Sequence, residues 1–394
     1  MTARTPRFVL ALVTAFVLAT AAGPPAHAAA PNAKSIVSFI NLSGGQEVIV
    51  PNGVYTGGTV AAPHADWLVL RAATPGGVVV DLRDTGLKLN DGTSNVVFVG
   101  FTFVNGTVQL AGVHDVHFWY CDFSFTPDEW TRQYQQAGGR VPADHRMRDA
   151  ITPRMANPFP TGARVREGVF DRSVLSERVG FWGSDFHDLA DDGILLSGAR
   201  GVSLVGLRIW NVDEKRSDPG QSLGSSQDWF HNDGIQTVGD IQDVHILDSW
   251  IGQKIQWGAE GRDIRDVEFR RLWYAGSSTF GEINEVKGSG RILNNTQQDI
   301  RVFANGQKNG PAFDGFQTDF VDGAQRAVWS RHYQKAGVFE IAATRVTLGA
   351  PAGVTVAGGR LTDINQVRNH RDNPANQWRQ THGYATWGSV LALG

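Results

Sequence analysis

One eight-residue pattern recurs along the chain and restricts the fold more than any other feature. It reads Val, any residue, Phe/Leu/Ile, any residue, a turn-tolerant residue, two more, then Phe/Ile/Tyr. Copies start at Val96, Val116, Val179, Val202, Val244 and Val267. The starts are 20, 63, 23, 42 and 23 residues apart, a period near 21 in which the 63 and the 42 hold either extra coils or one coil plus an insertion. Within a copy the apolar residues alternate, the register breaks at the fifth position (Gly100, Gly183, Gly206, Asp248), and alternation resumes. Each copy is thus two short strands joined by a bend. Strands this short cannot bury a face alone, whereas coil stacked on coil buries a continuous apolar column. The pattern predicts an all-β chain, a right-handed parallel β-helix solenoid with inserted loops and a short helix. A β-propeller would need blades of ~40 residues and a leucine-rich repeat its Leu/Asn consensus; neither is present.

Ahead of the coils, residues 1–28 read as an export signal. Arg4 and Arg7 precede an apolar run from Phe8 to Ala22, and Ala26-His27-Ala28 offers a small-residue cleavage site. Gly23-Pro24-Pro25 ends the run at fifteen residues, short of the ~20 a spanning helix needs. The expectation is a secreted protein with no membrane attachment, in which residues 29–394 form a single β-helix domain with clear coils over about 60–320. Two insertions interrupt the ladder. The first, about 126–167, opens with the capping box Thr126-Pro127-Asp128-Glu129, which predicts the short helix. It continues with Arg140, Arg146, Arg148, Arg154, Arg164 and Arg166 against Asp144 and Asp149, as a solvated loop or a flap over an anionic ligand. The second, about 213–230, is polar and rich in Ser and Gly. The last sixty residues are expected to form irregular terminal coils or a cap.

Lys plus Arg (36) nearly balance Asp plus Glu (39), which leaves no basic field for a nucleic acid. Without the two signal arginines the balance is 34 − 39 = −5. A basic excursion on a mildly acidic chain points to a polysaccharide partner of anionic character, bound by a monomer. Cys121 is the sole cysteine and can form no internal disulfide; its apolar surroundings suit a small buried residue.

Stacking turns spacing into geometry, because equivalent positions on successive coils lie ~4.8 Å apart. The seventh pattern position gives an outward row of Thr102, Asp122, Asp185, Arg208, Trp250 and Trp273. Acids, an arginine and flat rings in one row suit a glycan groove, and Arg208, Trp250, Trp273 and the bend residue Arg271 are candidate substrate contacts. A second column comes from Asp191-Asp192-Gly-Ile-Leu and Asn232-Asp233-Gly-Ile-Gln236. Counted back from the next repeat Val, Asp191, Asp233 and Gln256 align; aligned on Asp-Gly-Ile, Asp192 pairs with Asp233. Two carboxylates on neighbouring coils would divide into an acid and a base, with His231 beside them and Gln236 and Gln256 as substrate contacts. Asp and Asn before Gly also serve as turn formers. A third group is Glu282, Glu285 and Lys287 in GEINEVKGSG. Its carboxylates could hold Ca²⁺, and its lysine could abstract a proton made acidic by the metal.

The coil pattern, the export signal and the Asn-Asn-Thr turn resemble the pectin-lyase-like superfamily of right-handed β-helices, over about residues 60–320. That resemblance implies a polysaccharide substrate. The run EINEVKGSGRILNNT is similar to the Ca²⁺-binding acids and the lysine base of the chondroitinase B and alginate lyase family. It implies a lyase that cleaves a uronate-containing glycan by β-elimination, with Lys287 as base and Glu282 and Glu285 on the metal. Asp191-Asp192 resembles the paired Asp of polygalacturonases, which implies instead an inverting glycoside hydrolase using Asp191 or Asp192 with Asp233. A glycan-binding β-helix without catalysis is the third expectation.

Overall fold

The structure, a computed structural model, describes residues 34–83, 85–126, 162–189, 192–212, 233–252, 254–258, 262–274, 281–284, 291–303, 317–321, 327–332, 338–357 and 360–389. The export signal, the helix expected after Thr126, nearly all of the first insertion and the whole of the second lie outside those residues. So do Asp191, His231, Glu285 and Lys287, together with the side chains of Gln256 and Glu282.

Parallel strands stack in three ladders, and each coil passes once through all three. The first ladder runs from Gln46–Val50 through Leu68–Ala72, Ser94–Val99, His114–Trp119, Ser176–Trp182 and Ala199–Val205. It continues in the longer strands Ile241–Ile251, Asp263–Tyr274, Arg291–Val302 and Val338–Leu348. A second ladder runs from Lys34–Ser35 through Gly53–Thr56, Val78–Asp81, Phe101–Val104, Asp122–Ser124, Asp185–Leu189 and Arg208–Val212, then merges into the C-terminal halves of those longer strands. The third holds Gly58–Val60, Leu87–Leu89, Val108–Ala111, Ala163–Arg166, Ile194–Ser197, Asp233–Val238, Lys254–Gly258, Gly281–Asn284 and Ala327–His332. Val116 pairs directly with Val179, and Val202 with Val244. Both long gaps in the repeat are therefore single coils that carry an insertion.

The broken register at the fifth position is a left-handed backbone bend. Gly100, Gly183 and Gly206 have φ of 73, 57 and 67°, and Asp248 has 50°; Tyr120 and Arg271 adopt the same conformation at 52° each. Side chains tolerate this region poorly. In the later coils Asp248, Arg271, Asp299 and Arg345 follow one another at the bend, and Arg271 grips Asp248 as Arg345 grips Asp299, each through two guanidinium nitrogens. Inside, one buried column stacks Phe98, Phe118 and Phe181 at centroid spacings of 5.0 and 4.9 Å, and a second stacks Phe103, Phe123 and Phe186 at 5.1 and 4.4 Å. Apolar burial along these columns supplies the main driving force for stacking.

Beyond Val338–Leu348, which adds one more strand to the first ladder, the chain runs back along the side of the solenoid. Helix Ile364–Arg368 is capped by the Asp363 side chain, helix Pro374–Thr381 is capped by Asn373 with Pro374 in its first turn, and a 3₁₀ segment spans Tyr384–Ser389. Trp378 and Tyr384 pack on Val69, Val97, Val99, Trp119 and Val205 of the first ladder. Val367 closes over Trp210, Trp250, Trp273 and Phe303. From Ile364 to Ser389 the chain is a strap on the outer wall, after the one further coil strand at Val338–Leu348. No helix among the described residues is long and apolar enough to cross a membrane.

Candidate functional site

The seventh-position row exists as expected. Thr102, Asp122, Asp185, Arg208, Trp250 and Trp273 follow one another in register on the second ladder. Its surroundings differ from the expected groove. Trp250 is 0% and Trp273 6% exposed beneath the C-terminal strap, so their rings face packed side chains. Arg208 donates its Nε to Asp185 at 2.8 Å, and Arg379 of the strap donates to the same carboxylate. Burial by itself would push Asp185 up, but Arg379 and Arg208 together hold it well below the usual carboxylate range. Arg271 is likewise engaged by Asp248. The strap completes this wall because apolar rings left in an outward row gain more from being covered than from contact with water.

Beside that row lies a cluster the repeat did not reveal. His187 contacts Asp122 through Nε2 at 2.9 Å and Asp188 through Nδ1 at 2.8 Å, and its ring stacks on Trp210 at 4.5 Å. Although burial opposes its charge, the two carboxylates push its pKa up to about 10. Extending the seventh-position row by two residues would have brought Ser124, His187 and Trp210 into one line. Cys121 is buried with its thiol pushed up to about 12 by desolvation, which disfavours the reactive thiolate.

Most of the remaining candidates meet on the third ladder. Lys88, Gln109, Arg164, Leu195, Gln236, Gln256, Glu282 and Ser330 form one continuous register row across eight coils. On either side of it Leu87 and Leu89, Val108 and Leu110, Ala163 and Val165, and Ile194 and Leu196 are all fully buried, so alternation turns the row outward. Gln236 is nonetheless only 5% exposed. Arg164, read from the sequence as part of the basic insertion, belongs to this strand row. Its Nε is buried without a hydrogen-bond partner among the described residues.

At the N-terminal edge of the same strands the two acids come together. Ile194 pairs with Ile235, which puts Asp192 and not Asp191 opposite Asp233. The Asp233 N–H donates to Asp192 Oδ1 at 3.2 Å, and the Gly193 N–H donates to the Asp233 carbonyl at 2.8 Å. A Cβ on Gly193 would lie 2.5 Å from the Gly234 carbonyl oxygen; only glycine lets the two coils approach so closely. Asp192 is 1% and Asp233 0% exposed. The two acids thus lie buried one coil apart, at the N-terminal edge of the strands whose outward row holds Leu195 and Gln236. Among the described residues no group of three or more His, Cys, Asp or Glu could hold a metal. Glu282 shares the row by its backbone register, and Lys287 and Glu285 follow that strand outside the described residues.

Strand pairing and the hand of parallel crossovers define the class: a right-handed parallel β-helix. No family model matches the chain and no curated protein matches it. Among solved structures it is similar to the endo-xylogalacturonan hydrolase from Aspergillus tubingensis, with 11% identity over 74% of this chain and 90% of that one and a TM-score of 0.38. It is similar to the family 28 exopolygalacturonase of Yersinia enterocolitica, with 11% identity over 80% of this chain and 62% of that one and a TM-score of 0.39. An alginate lyase matches at 11% identity over 84% of this chain and 89% of that one, with a TM-score of 0.31.

Proposed function

We propose that this chain is an exported enzyme that cleaves an acidic polysaccharide lying along the outward row of the third ladder, with Asp192 and Asp233 as its acid–base pair. The observation that carries the reading is the burial of both acids at equivalent positions of consecutive coils, beside a row that contains an Arg164 Nε without a hydrogen-bond partner among the described residues. Arg164 meets the charge of a uronate, and Gln236 and Gln256 meet its hydroxyls. One carboxyl gives its proton to the glycosidic oxygen, the other carboxylate takes a proton from water, and that water attacks the anomeric carbon. Each cut consumes one water and leaves one new reducing end.

Glu282 on the same row favours a second chemistry. There Lys287 would remove the proton next to the uronate carboxyl, the glycosidic oxygen would leave, and an unsaturated sugar would form without water. Glu282 and Glu285 would be the ligands of Ca²⁺, which would acidify that proton. Mass spectrometry of products from polygalacturonate, alginate and chondroitin sulfate tests both, since hydrolysis adds the mass of water per cut and elimination adds nothing. An absence of products from every acidic glycan overturns the enzymatic reading.

A further inference from the structure

Between the third-ladder strand Ala163–Arg166 and the first-ladder strand Ser176–Trp182 the chain makes a closed turn that holds an aromatic ring in solvent. Phe170 is 83% exposed, with Val169 at 44% and Val174 at 42% beside it. The backbone beneath that ring is pinned from both sides. Asp91, two coils earlier, accepts the N–H groups of Val169, Phe170 and Asp171 at 2.7, 3.0 and 3.3 Å. The Gly168 N–H donates to the Val174 carbonyl at 2.8 Å, and Val174 N–H to the Asp171 carbonyl at 3.1 Å. Asp171 itself accepts Ser173 N–H at 2.9 Å and Ser173 O–H at 2.6 Å. Each end is tied to the following coil, Glu167 N–H to the Ser197 carbonyl at 2.9 Å and Ser176 N–H to the Gly198 carbonyl at 3.1 Å.

Its place in the chain says what covers it. Phe170 follows Arg166 by four residues, at the C-terminal edge of the strand that carries Arg164. Three acids stand at the turn: Asp91 accepts three of its N–H groups, Asp171 accepts Ser173, and Glu167 opens it. Arg164 and Arg172 have no carboxylate partner among the described residues, and Arg166 has only Glu167 at 3.6 Å. The same stretch of chain thus carries a flat apolar ring and two guanidinium groups, those of Arg164 and Arg172, that no described carboxylate engages. A pyranose ring offers an apolar C–H face for an aromatic ring, and a uronate carboxylate can pair with either of those guanidinium groups.

We infer that Phe170 is a stacking platform for one sugar ring of an acidic polysaccharide, at the rim of the row led by Arg164. This rests on the reading of that row as the substrate surface. The test runs wild type, Phe170→Ala and Phe170→Trp through gels containing polygalacturonate, alginate or chondroitin sulfate, with KM and kcat measured on the polymer that retards the wild type. Phe170→Ala is expected to weaken retardation and raise KM about tenfold, with kcat and melting temperature unchanged, and Phe170→Trp to restore both. Retardation of Phe170→Ala equal to wild type, on a polymer the wild type binds, overturns the platform and leaves the substrate row standing. A wild type that passes freely through all three polymers overturns the row and the platform together. Sedimentation of the wild type as a dimer that Phe170→Ala splits would assign the ring to a second copy and likewise overturn it.

Discussion

Arg379 donates to the Asp185 carboxylate across 194 residues of sequence, and Asp185 takes Arg208 from the next coil at the same time. That carboxylate fastens the C-terminal strap to the second ladder. Arg379→Ala leaves Asp185 one guanidinium and removes the strap's ionic anchor, so the expected loss is about 2 kcal/mol, less than for a buried charge left wholly unpaired. Urea unfolding measures it. An unchanged midpoint with an unchanged slope would show that the strap is held by its other contacts and not by this ion pair.

Two histidines set opposite limits on pH stability. His187 has a folded pKa of about 10, above the ~6.5 of an unfolded histidine. Its contribution is complete below pH ~6.5 and is lost as pH rises toward 10. His117 has its pKa lowered to about 4 by burial, so between 4 and ~6.5 the unfolded chain binds the extra proton and stability falls as pH drops. The melting temperature should peak near neutrality. His187→Gln should flatten the alkaline limb and His117→Gln the acidic one; a wild-type profile with no alkaline decline before pH 10 would contradict the doubly paired His187.

Gly206 stands at a bend with φ of 67°, where an added Cβ would come within 2.4 Å of Trp378 Cε3. Gly206→Ala combines a backbone penalty of roughly 1–2 kcal/mol with an overpacking cost of roughly 1–3 kcal/mol. Only the second part depends on the indole, so a cycle with Trp378→Ala separates them. A coupling indistinguishable from zero would mean that the strap yields freely at this point.

How far the sequence discloses this molecule depends on whether a feature repeats. The fifth-position bends were legible because Gly and Asp tolerate positive φ, and the same periodicity placed Asp122, Asp185, Arg208, Trp250 and Trp273 in one row. Tyr120 and Arg271 adopt that bend without being favoured for it, since their neighbours above and below dictate the path. The strap was not legible: Trp378, Arg379 and Tyr384 dock by contacts made once, hundreds of residues from their partners, and no period announces them. Hence the two tryptophans of the row looked like a sugar-facing surface when they are the floor under Val367. The acid pair was half visible, with Asp191 or Asp192 opposite Asp233; the choice needed the register of Ile194 against Ile235, which an inserted loop hides.

That choice leads to the test of chemistry. Asp192 Oδ1 accepts the Asp233 N–H, and an asparagine at 192 keeps a carbonyl oxygen for that bond, so Asp192→Asn should fold while losing the acid–base function. Asp233→Asn is the matching change one coil on. Loss of general acid or base catalysis costs about 10²- to 10⁴-fold, and that is the fall expected in kcat for each variant, with a melting temperature close to wild type. Because the two carboxyls act as one unit, the double variant should be little worse than either single one. Lys287→Ala supplies the contrast. Under hydrolysis it leaves kcat within a few-fold of wild type, whereas under β-elimination it abolishes the unsaturated product. Full activity in Asp233→Asn together with none in Lys287→Ala would remove the acid pair from the mechanism and leave Lys287 as its base.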